Sequence, residues 1–157
     1  MRRLGALMFV ALAGCTASVT GEPFGKPFGA ASAVARRGTS SINSSYTILI
    51  SSGPADCDTL QPSAPPQPAG TQFLQVVIAK NGSELPLSRG EPYLQSGRDE
   101  YGTVYGCVVA DGRCTMAAFT SASVTLTNAT DAKVAGRFEM FTGDQKFSGS
   151  FDAALCP

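Results

Sequence analysis

The sequence predicts an all-β domain, either an antiparallel β-sandwich or a partly open barrel, with at most one short helix. Short runs of alternating or β-branched residues recur every ~8–12 residues, with turn-forming residues between them. No long segment has the 3.6-residue period of an amphipathic helix. The 17 glycines and 10 prolines among 157 residues are a high share for a helical bundle. The length is that of one ordinary domain.

The N-terminus has the features of an export signal. Met1-Arg2-Arg3 is positively charged, and Leu4–Leu12 is an apolar run too short to span a bilayer as a mature helix. The run ends in Leu12-Ala13-Gly14-Cys15, which resembles the lipobox of bacterial lipoproteins. This resemblance implies that residues 1–14 are a lipoprotein signal peptide and that the Cys15 thiol carries a diacylglyceryl group, with fatty acids such as palmitate. An ordinary secretory signal with an incidental cysteine is the alternative.

The resemblance also implies a location. Thr16 follows the cysteine, whereas an aspartate at that position is linked to inner-membrane retention in enterobacterial lipoproteins. We therefore expect a protein of the bacterial cell envelope, held by its lipid anchor at the outer membrane, since two or more acyl chains anchor stably.

The segment after the cysteine is ambiguous between a tether and a first strand. We expect residues 15–23 to form a lipidated tether and residues 24–157 to form the β-domain. Ala30–Arg37 alternates weakly, which favours an early strand there.

The body of the domain contains further predicted strands, separated by turn and loop residues. Asp56 is expected to cap a short helical turn that ends at Leu60. Asn81-Gly82 is a strong hairpin signal and predicts a return strand through Leu85 and Leu87, at an edge because Pro86 interrupts it. The other predicted strands are Tyr46–Ser52, Phe73–Lys80, Tyr101–Val109, Thr115–Phe119, Ser123–Asn128, Lys133–Thr142 and Lys146–Asp152.

The last two strands predict a hairpin with one buried and one solvated face, because side chains alternate along a strand. Gly143-Asp144 is the expected turn. The residues expected in the core are Val134, Phe138, Met140, Phe147 and Phe151, and those expected in water are Arg137, Glu139, Lys146 and Ser148.

Five cysteines in an exported chain leave four once Cys15 carries the lipid, and an even number indicates two disulfides. Four cysteines allow three connectivities. The Asp111-Gly112 turn favours pairing Cys107 with Cys114, which leaves Cys57 with Cys156. A metal or redox site is disfavoured, since there is no Cys-x-x-Cys pair and no histidine, and we expect no cofactor.

Three short motifs of the mature part are similar to those of a group of uncharacterised small β-domain lipoproteins of bacteria. They are Gly21–Phe24 followed by Ser32-Ala33, Ile48–Ser51 before Cys57, and Gly149–Cys156. These motifs are structural, and the resemblance implies no activity.

Composition excludes several classes of function. Lysine and arginine balance aspartate and glutamate at 12 each, so a basic surface for nucleic acid is not expected. The absence of histidine removes the commonest general base. Scattered carboxylates could still meet as a glycosidase pair. A small carboxylate-dependent hydrolase acting on envelope glycans is therefore the alternative to a non-enzymatic protein.

Tyr93, Tyr101 and Tyr105 are the candidate binding residues. Tyr101 and Tyr105 are four apart in a predicted strand and share a face, where an exposed aromatic row could stack sugars or dock a peptide. The sequence favours the other interpretation, in which this face is core and Cys107 continues it. The prediction is thus a lipid-anchored binding or structural module whose partner is an unknown envelope protein or glycan. A third hypothesis is an assembly factor that offers an edge strand at Phe73–Lys80.

Overall fold

The predicted all-β fold is confirmed in a computed structural model, which describes residues 16–29, 31–39, 43–60, 67–82 and 87–157. Among these residues the only helical element is a 3₁₀ turn at Cys57–Leu60. The described residues contain no helix that is long and apolar enough to cross a membrane. The ten strands are β1 (Thr16–Thr20), β2 (Ala31–Thr39), β3 (Asn43–Ser51), β4 (Gln72–Asn81), β5 (Pro92–Leu94), β6 (Glu100–Val108), β7 (Ala117–Ala118), β8 (Ser121–Ala129), β9 (Lys133–Thr142) and β10 (Gln145–Cys156).

The strands form one sheet that rolls into a nearly closed barrel, in the order β5-β8-β9-β10-β1-β2-β3-β4-β6-β7. Closure depends on Gly102 of β6, which lies against Tyr93 of β5 and Val124 of β8. A Cβ added at Gly102 would lie 2.6 Å from the Tyr93 carbonyl oxygen. The missing side chain therefore lets the two ends of the sheet approach each other.

The early strand is confirmed as β2, but the predicted tether is wrong over Thr16–Thr20, which form β1. Thr16 lies opposite both Asp152 of β10 and Ser32 of β2. From Ala154 of β10 and Val34 of β2 onwards, these two strands pair directly in parallel. Before that point they lie apart, and β1 fills the space between them. Ala17 and Val19 of β1 pack against the core, which gives the segment a buried face that a tether would lack.

The Asn81-Gly82 hairpin is also wrong. Gly82 has the positive φ of such a turn, 64°, but β4 pairs with β3 and β6 along its length. The Asn81 N–H donates to the Asp99 carbonyl, so β6 occupies the place of a return strand. Leu87 is buried outside any strand, and Leu85 lies outside the described residues. Because β4 has neighbours on both sides, the hypothesis of an exposed edge strand at Phe73–Lys80 is wrong as well.

The barrel interior holds the main core, and the predicted β9–β10 hairpin supplies its aromatic centre. The five residues expected inside are buried, Arg137, Glu139 and Lys146 are exposed, and Ser148 is half-buried, as predicted from alternation. Phe138 lies opposite Gly149, and Phe151 lies opposite Gly136. A Cβ at Gly136 would lie 2.7 Å from the Phe151 ring, so each glycine makes room for the ring across the ladder.

A smaller apolar cluster lies on the outer face of β2, β3, β4 and β6. Its buried members are Val34, Leu49, Phe73, Cys107 and Val109.

Both predicted disulfides are confirmed, and both reach this outer cluster. The Cα atoms of Cys57 and Cys156 are 5.5 Å apart. Those of Cys107 and Cys114 are 5.7 Å apart. Asp111 and Gly112 have φ angles of 49° and 71°, the two positive values that a type I′ turn requires. The local turn therefore brings the second cysteine pair together, as the sequence predicts.

The expected cap of the short helical turn is also confirmed. The Asp56 carboxylate accepts hydrogen bonds from the Thr59 N–H at 3.0 Å and from the Thr59 hydroxyl at 2.9 Å. These two bonds hold the pKa of Asp56 below its usual value. The turn they support begins at Cys57, so it helps to place that half of the disulfide to Cys156.

Candidate binding face

The structure separates the three candidate tyrosines. Tyr93 lies in the barrel core with 2% of its surface exposed. Its hydroxyl donates to the Ser88 carbonyl oxygen at 3.0 Å, and burial raises its pKa. Tyr93 therefore shares no surface with Tyr101 and Tyr105. It is a core residue whose buried hydroxyl has a hydrogen-bond partner.

Tyr101 and Tyr105 lie half-buried on the outer face of β6, whereas Thr103 and Cys107 on the same face are buried. The interpretation of this face as core therefore holds for Cys107, which belongs to the outer apolar cluster, but not for the two rings. The inner face of β6 carries Gly102, Val104 and Gly106 instead. A Cβ at Gly106 would lie 2.6 Å from the Phe24 ring. The core at this strand is thus filled by rings from elsewhere, and the glycines of β6 are the signal that could have identified the inner face.

Three further side chains complete this surface, and sequence analysis did not identify them. Gln75 of β4 lies opposite Tyr105, and Val77 of β4 lies between Thr103 of β6 and Thr47 of β3. Gln75, Val77 and Thr47 are half-buried on the outer face. We name the set Tyr101, Tyr105, Gln75, Val77 and Thr47 the tyrosine face. Period-2 alternation gives the outward residues of each strand, but only the register places them side by side.

The tyrosine face is uncharged and combines aromatic, amide and hydroxyl groups. Its two rings are four residues apart on one strand, which corresponds to about 13 Å. A tyrosine ring offers an apolar face and a polar tip. The Gln75 amide and the Thr47 hydroxyl can both donate and accept hydrogen bonds. The arrangement can therefore bind a neutral ligand that presents apolar C–H groups and hydroxyls together.

None of the described carboxylates is buried, and four of them form ion pairs. None of the buried residues that the structure describes is charged. These four ion pairs lie at the protein surface, at N–O distances of 2.7–2.9 Å. The pairs are Arg37–Asp131, Lys80–Glu100, Lys133–Asp152 and Lys146–Glu139. A general acid needs an apolar site that keeps it protonated, and none of these four carboxylates has one.

Three surface cavities in the described part of the chain each contain at most one acidic side chain. A cavity of about 420 Å³ is lined by Leu94, Phe141 and the hydroxyls of Thr120 and Ser121, without a carboxylate. A second of about 420 Å³ contains Glu139 as its one acid. A third of about 470 Å³ contains Asp131, which is paired with Arg37. In the described part of the chain no group of three His, Cys, Asp or Glu side chains could hold a metal ion.

No family model, curated protein or solved structure matches this chain. No role is therefore carried over from a matching protein, and the resemblance to lipoproteins remains an expectation from the sequence motifs. Cys15, which that resemblance makes the lipidated residue, lies outside the described residues.

Proposed function

We propose that this protein is a lipid-anchored, non-enzymatic binding module of the bacterial cell envelope, and that its tyrosine face binds an envelope glycan. Its location is proposed as the outer membrane. The Leu12–Cys15 box supports the anchor, and two disulfides in a chain of this size fit an oxidising compartment.

The observation that carries the choice of ligand is the chemistry of the tyrosine face. Its five residues carry no charge, and one cation, the exposed Arg36 of β2, lies beside it opposite Thr47. A single cation is fewer than a strongly anionic polymer needs to replace its counterions, which favours a neutral ligand. A glycan offers apolar C–H faces to the rings of Tyr101 and Tyr105, and hydroxyls to the Gln75 amide. Stacking and hydrogen bonding then act on the same ligand.

A peptide partner that adds a strand would need a free sheet edge. The edge strands of the described sheet are β5, with three residues, and β7, with two. They pair with only part of β8 and β6, and the remaining parts of these two strands approach each other where the barrel nearly closes, with Gly102 of β6 against Val124 of β8. This closure favours recognition on a face of the sheet over recognition at its edge. The alternative hydrolase finds no support in these residues, since none of the described carboxylates is buried and four of them are ion-paired at the protein surface.

We expect the double substitution Tyr101→Ala and Tyr105→Ala to weaken binding to purified peptidoglycan sacculi at least about tenfold, because truncated tyrosines at a binding centre are frequent hot spots. Co-sedimentation of the detergent-solubilised native protein and its variants with sacculi measures the affinity. Tyr105→Phe keeps the ring and should retain most of the binding.

Ser150→Ala is the matched control, because Ser150 is exposed on β10, on another wall of the barrel. Unchanged sedimentation of the double variant would contradict the proposal, and so would a folded native protein that does not bind sacculi. Capture of a protein partner that depends on the same two tyrosines would replace the glycan as the ligand.

A further inference from the structure

We infer that the acylated end holds the barrel directly against the bilayer by the outer side of β1, so that the tyrosine face points away from the anchoring membrane. This inference rests on the proposed lipidation of Cys15. The inference adds the orientation of the barrel on the membrane. It also narrows the proposed glycan ligand to one that lies beyond the anchoring bilayer, which excludes the lipid headgroups of that bilayer.

The first step is the absence of a spacer. β1 begins at Thr16, the residue that follows Cys15 in the sequence. Thr16 is already paired on both sides, with Ser32 and Asp152. One residue of chain spans at most ~3.6 Å, whereas a flexible tether of about eight residues would average roughly 15 Å. A lipid on Cys15 therefore keeps the start of β1 at the level of the lipid headgroups.

The second step is the nature of the wall around this point. Thr16, Ser18 and Thr20 of β1 are exposed on the outside. Ser18 lies opposite Ser150 of β10, and their hydroxyl oxygens are 2.9 Å apart. Small hydroxyl side chains can approach headgroups without removing a charge from water. We name these residues, with Ser148 and Ser150, the hydroxyl wall.

Two ion pairs and Arg137 border the hydroxyl wall. Arg137 is exposed on β9 opposite Ser150 and adds one positive charge beside the wall. Lys133 binds Asp152, the residue opposite Thr16, at 2.9 Å. Lys146 binds Glu139 at 2.7 Å. Each pair is about half-exposed and has no net charge, so neither repels a bilayer surface of either sign.

The third step is the position of the tyrosine face relative to β1. Going round the sheet from β1, the next strands are β2, β3, β4 and β6, so β6 is the fourth neighbour in a sheet of ten that nearly closes. Four strand spacings amount to about 19 Å of arc. Tyr101 and Tyr105 therefore lie on the wall opposite β1. A bilayer that contacts the hydroxyl wall leaves them open to the compartment beyond.

The chain contains no tryptophan, so a single introduced tryptophan reports its own surroundings. The test compares Ser18→Trp on the hydroxyl wall with Tyr105→Trp on the tyrosine face, each in the full lipidated chain. The proteins are reconstituted into phosphatidylcholine vesicles that contain a headgroup-nitroxide lipid as the fluorescence quencher. We expect quenching at least about twofold greater for Ser18→Trp, because the two positions lie four strand spacings apart. Ser150→Trp is the second reporter on the same wall, if Ser18→Trp lowers the melting temperature.

A spacer provides the matched control. Ten Gly/Ser residues inserted between Cys15 and Thr16 should free the barrel to tumble and bring the two quenching values close together. Equal quenching without the spacer, in proteins that float with the vesicles, overturns the orientation and leaves the lipid anchor standing. Failure to float, together with the absence of fatty acid on Cys15, overturns the anchor and the orientation with it.

Discussion

Replacing Phe151 by alanine is expected to lower the free energy of unfolding by about 3–5 kcal/mol. Phe151 is 3% exposed and belongs to the barrel core. Its ring lies over Gly136 of β9, which has no side chain that could move into the space. The cavity left by the ring would therefore persist, which places the cost in the upper part of that range. Such a loss is a large fraction of the total stability of a domain of this size, about 5–15 kcal/mol.

Urea unfolding of the native protein and the variant measures this loss. Asp152→Asn is the matched control, because it changes the next residue on the opposite face of β10. Its half-exposed ion pair with Lys133 should contribute no more than about 1 kcal/mol. A loss below about 1 kcal/mol for Phe151→Ala would contradict the assignment of the core. If Asp152→Asn instead removed a measurable activity from a folded protein, the hydrolase alternative would replace the binding module.

Removing the Cys57–Cys156 disulfide is expected to be the most destabilising change outside the core. The bond joins residues 99 apart, and a loop of this length gives ~4.7 kcal/mol in the chain-entropy treatment of disulfides. The bond also fixes the end of β10, whose last residues pair with β2. Without it we expect the C-terminal residues to fray in addition to the loss of global stability.

The comparison is between the double serine variants of the two disulfides, which avoid unpaired thiols. Cys107 and Cys114 are seven residues apart, so their bond contributes about 2.4 kcal/mol in the same treatment. Thermal unfolding without reductant should therefore rank the Cys57→Ser/Cys156→Ser variant as less stable than the Cys107→Ser/Cys114→Ser variant. The reverse order would show that local strain or residual structure, and not loop length, governs these bonds.

The strands that could be predicted are those whose own residues carry the pattern. β9 has the predicted bounds, Lys133–Thr142, because its own residues alternate: Val134, Phe138 and Met140 face inward, and the charged Lys133, Arg137 and Glu139 face outward. β1 was missed because it has five residues, and its main partner, β10, lies about 130 residues away in the sequence. A strand that depends on so distant a partner leaves little local signal.

Local turn chemistry predicted the turns at Asp111-Gly112 and Gly143-Asp144 correctly and the hairpin at Asn81-Gly82 wrongly. The Asp111-Gly112 turn forms within a short segment whose two ends, Cys107 and Cys114, are joined by a disulfide. Gly82 has the positive φ of a turn, yet β6 supplies the partner of β4. Gly90 lies beside β8, where its N–H donates to the Leu126 carbonyl. Long-range pairing therefore overrode a strong local preference.

The candidate site was only partly predictable, because one strand does not reveal which of its faces is inside. On β6 the tyrosines suggested a core, whereas Gly102 and Gly106 form the inner face and rings from other segments fill the space beside them. The partners Gln75, Val77 and Thr47 depend on the register of three strands, and a single sequence does not give that register. Tyr93 was grouped with Tyr101 and Tyr105 by residue type, but it lies on the inner side of β5.

The most direct test of the central claim is metabolic labelling with palmitate in bacterial cells that express the native chain or Cys15→Ser. The Leu12–Cys15 box predicts that the native protein is cleaved, labelled and recovered with the membranes. It predicts that Cys15→Ser carries no label and remains an uncleaved precursor without the lipid anchor. Equal label on the native protein and the variant would contradict lipidation at Cys15, and with it the proposal of a lipid-anchored envelope module.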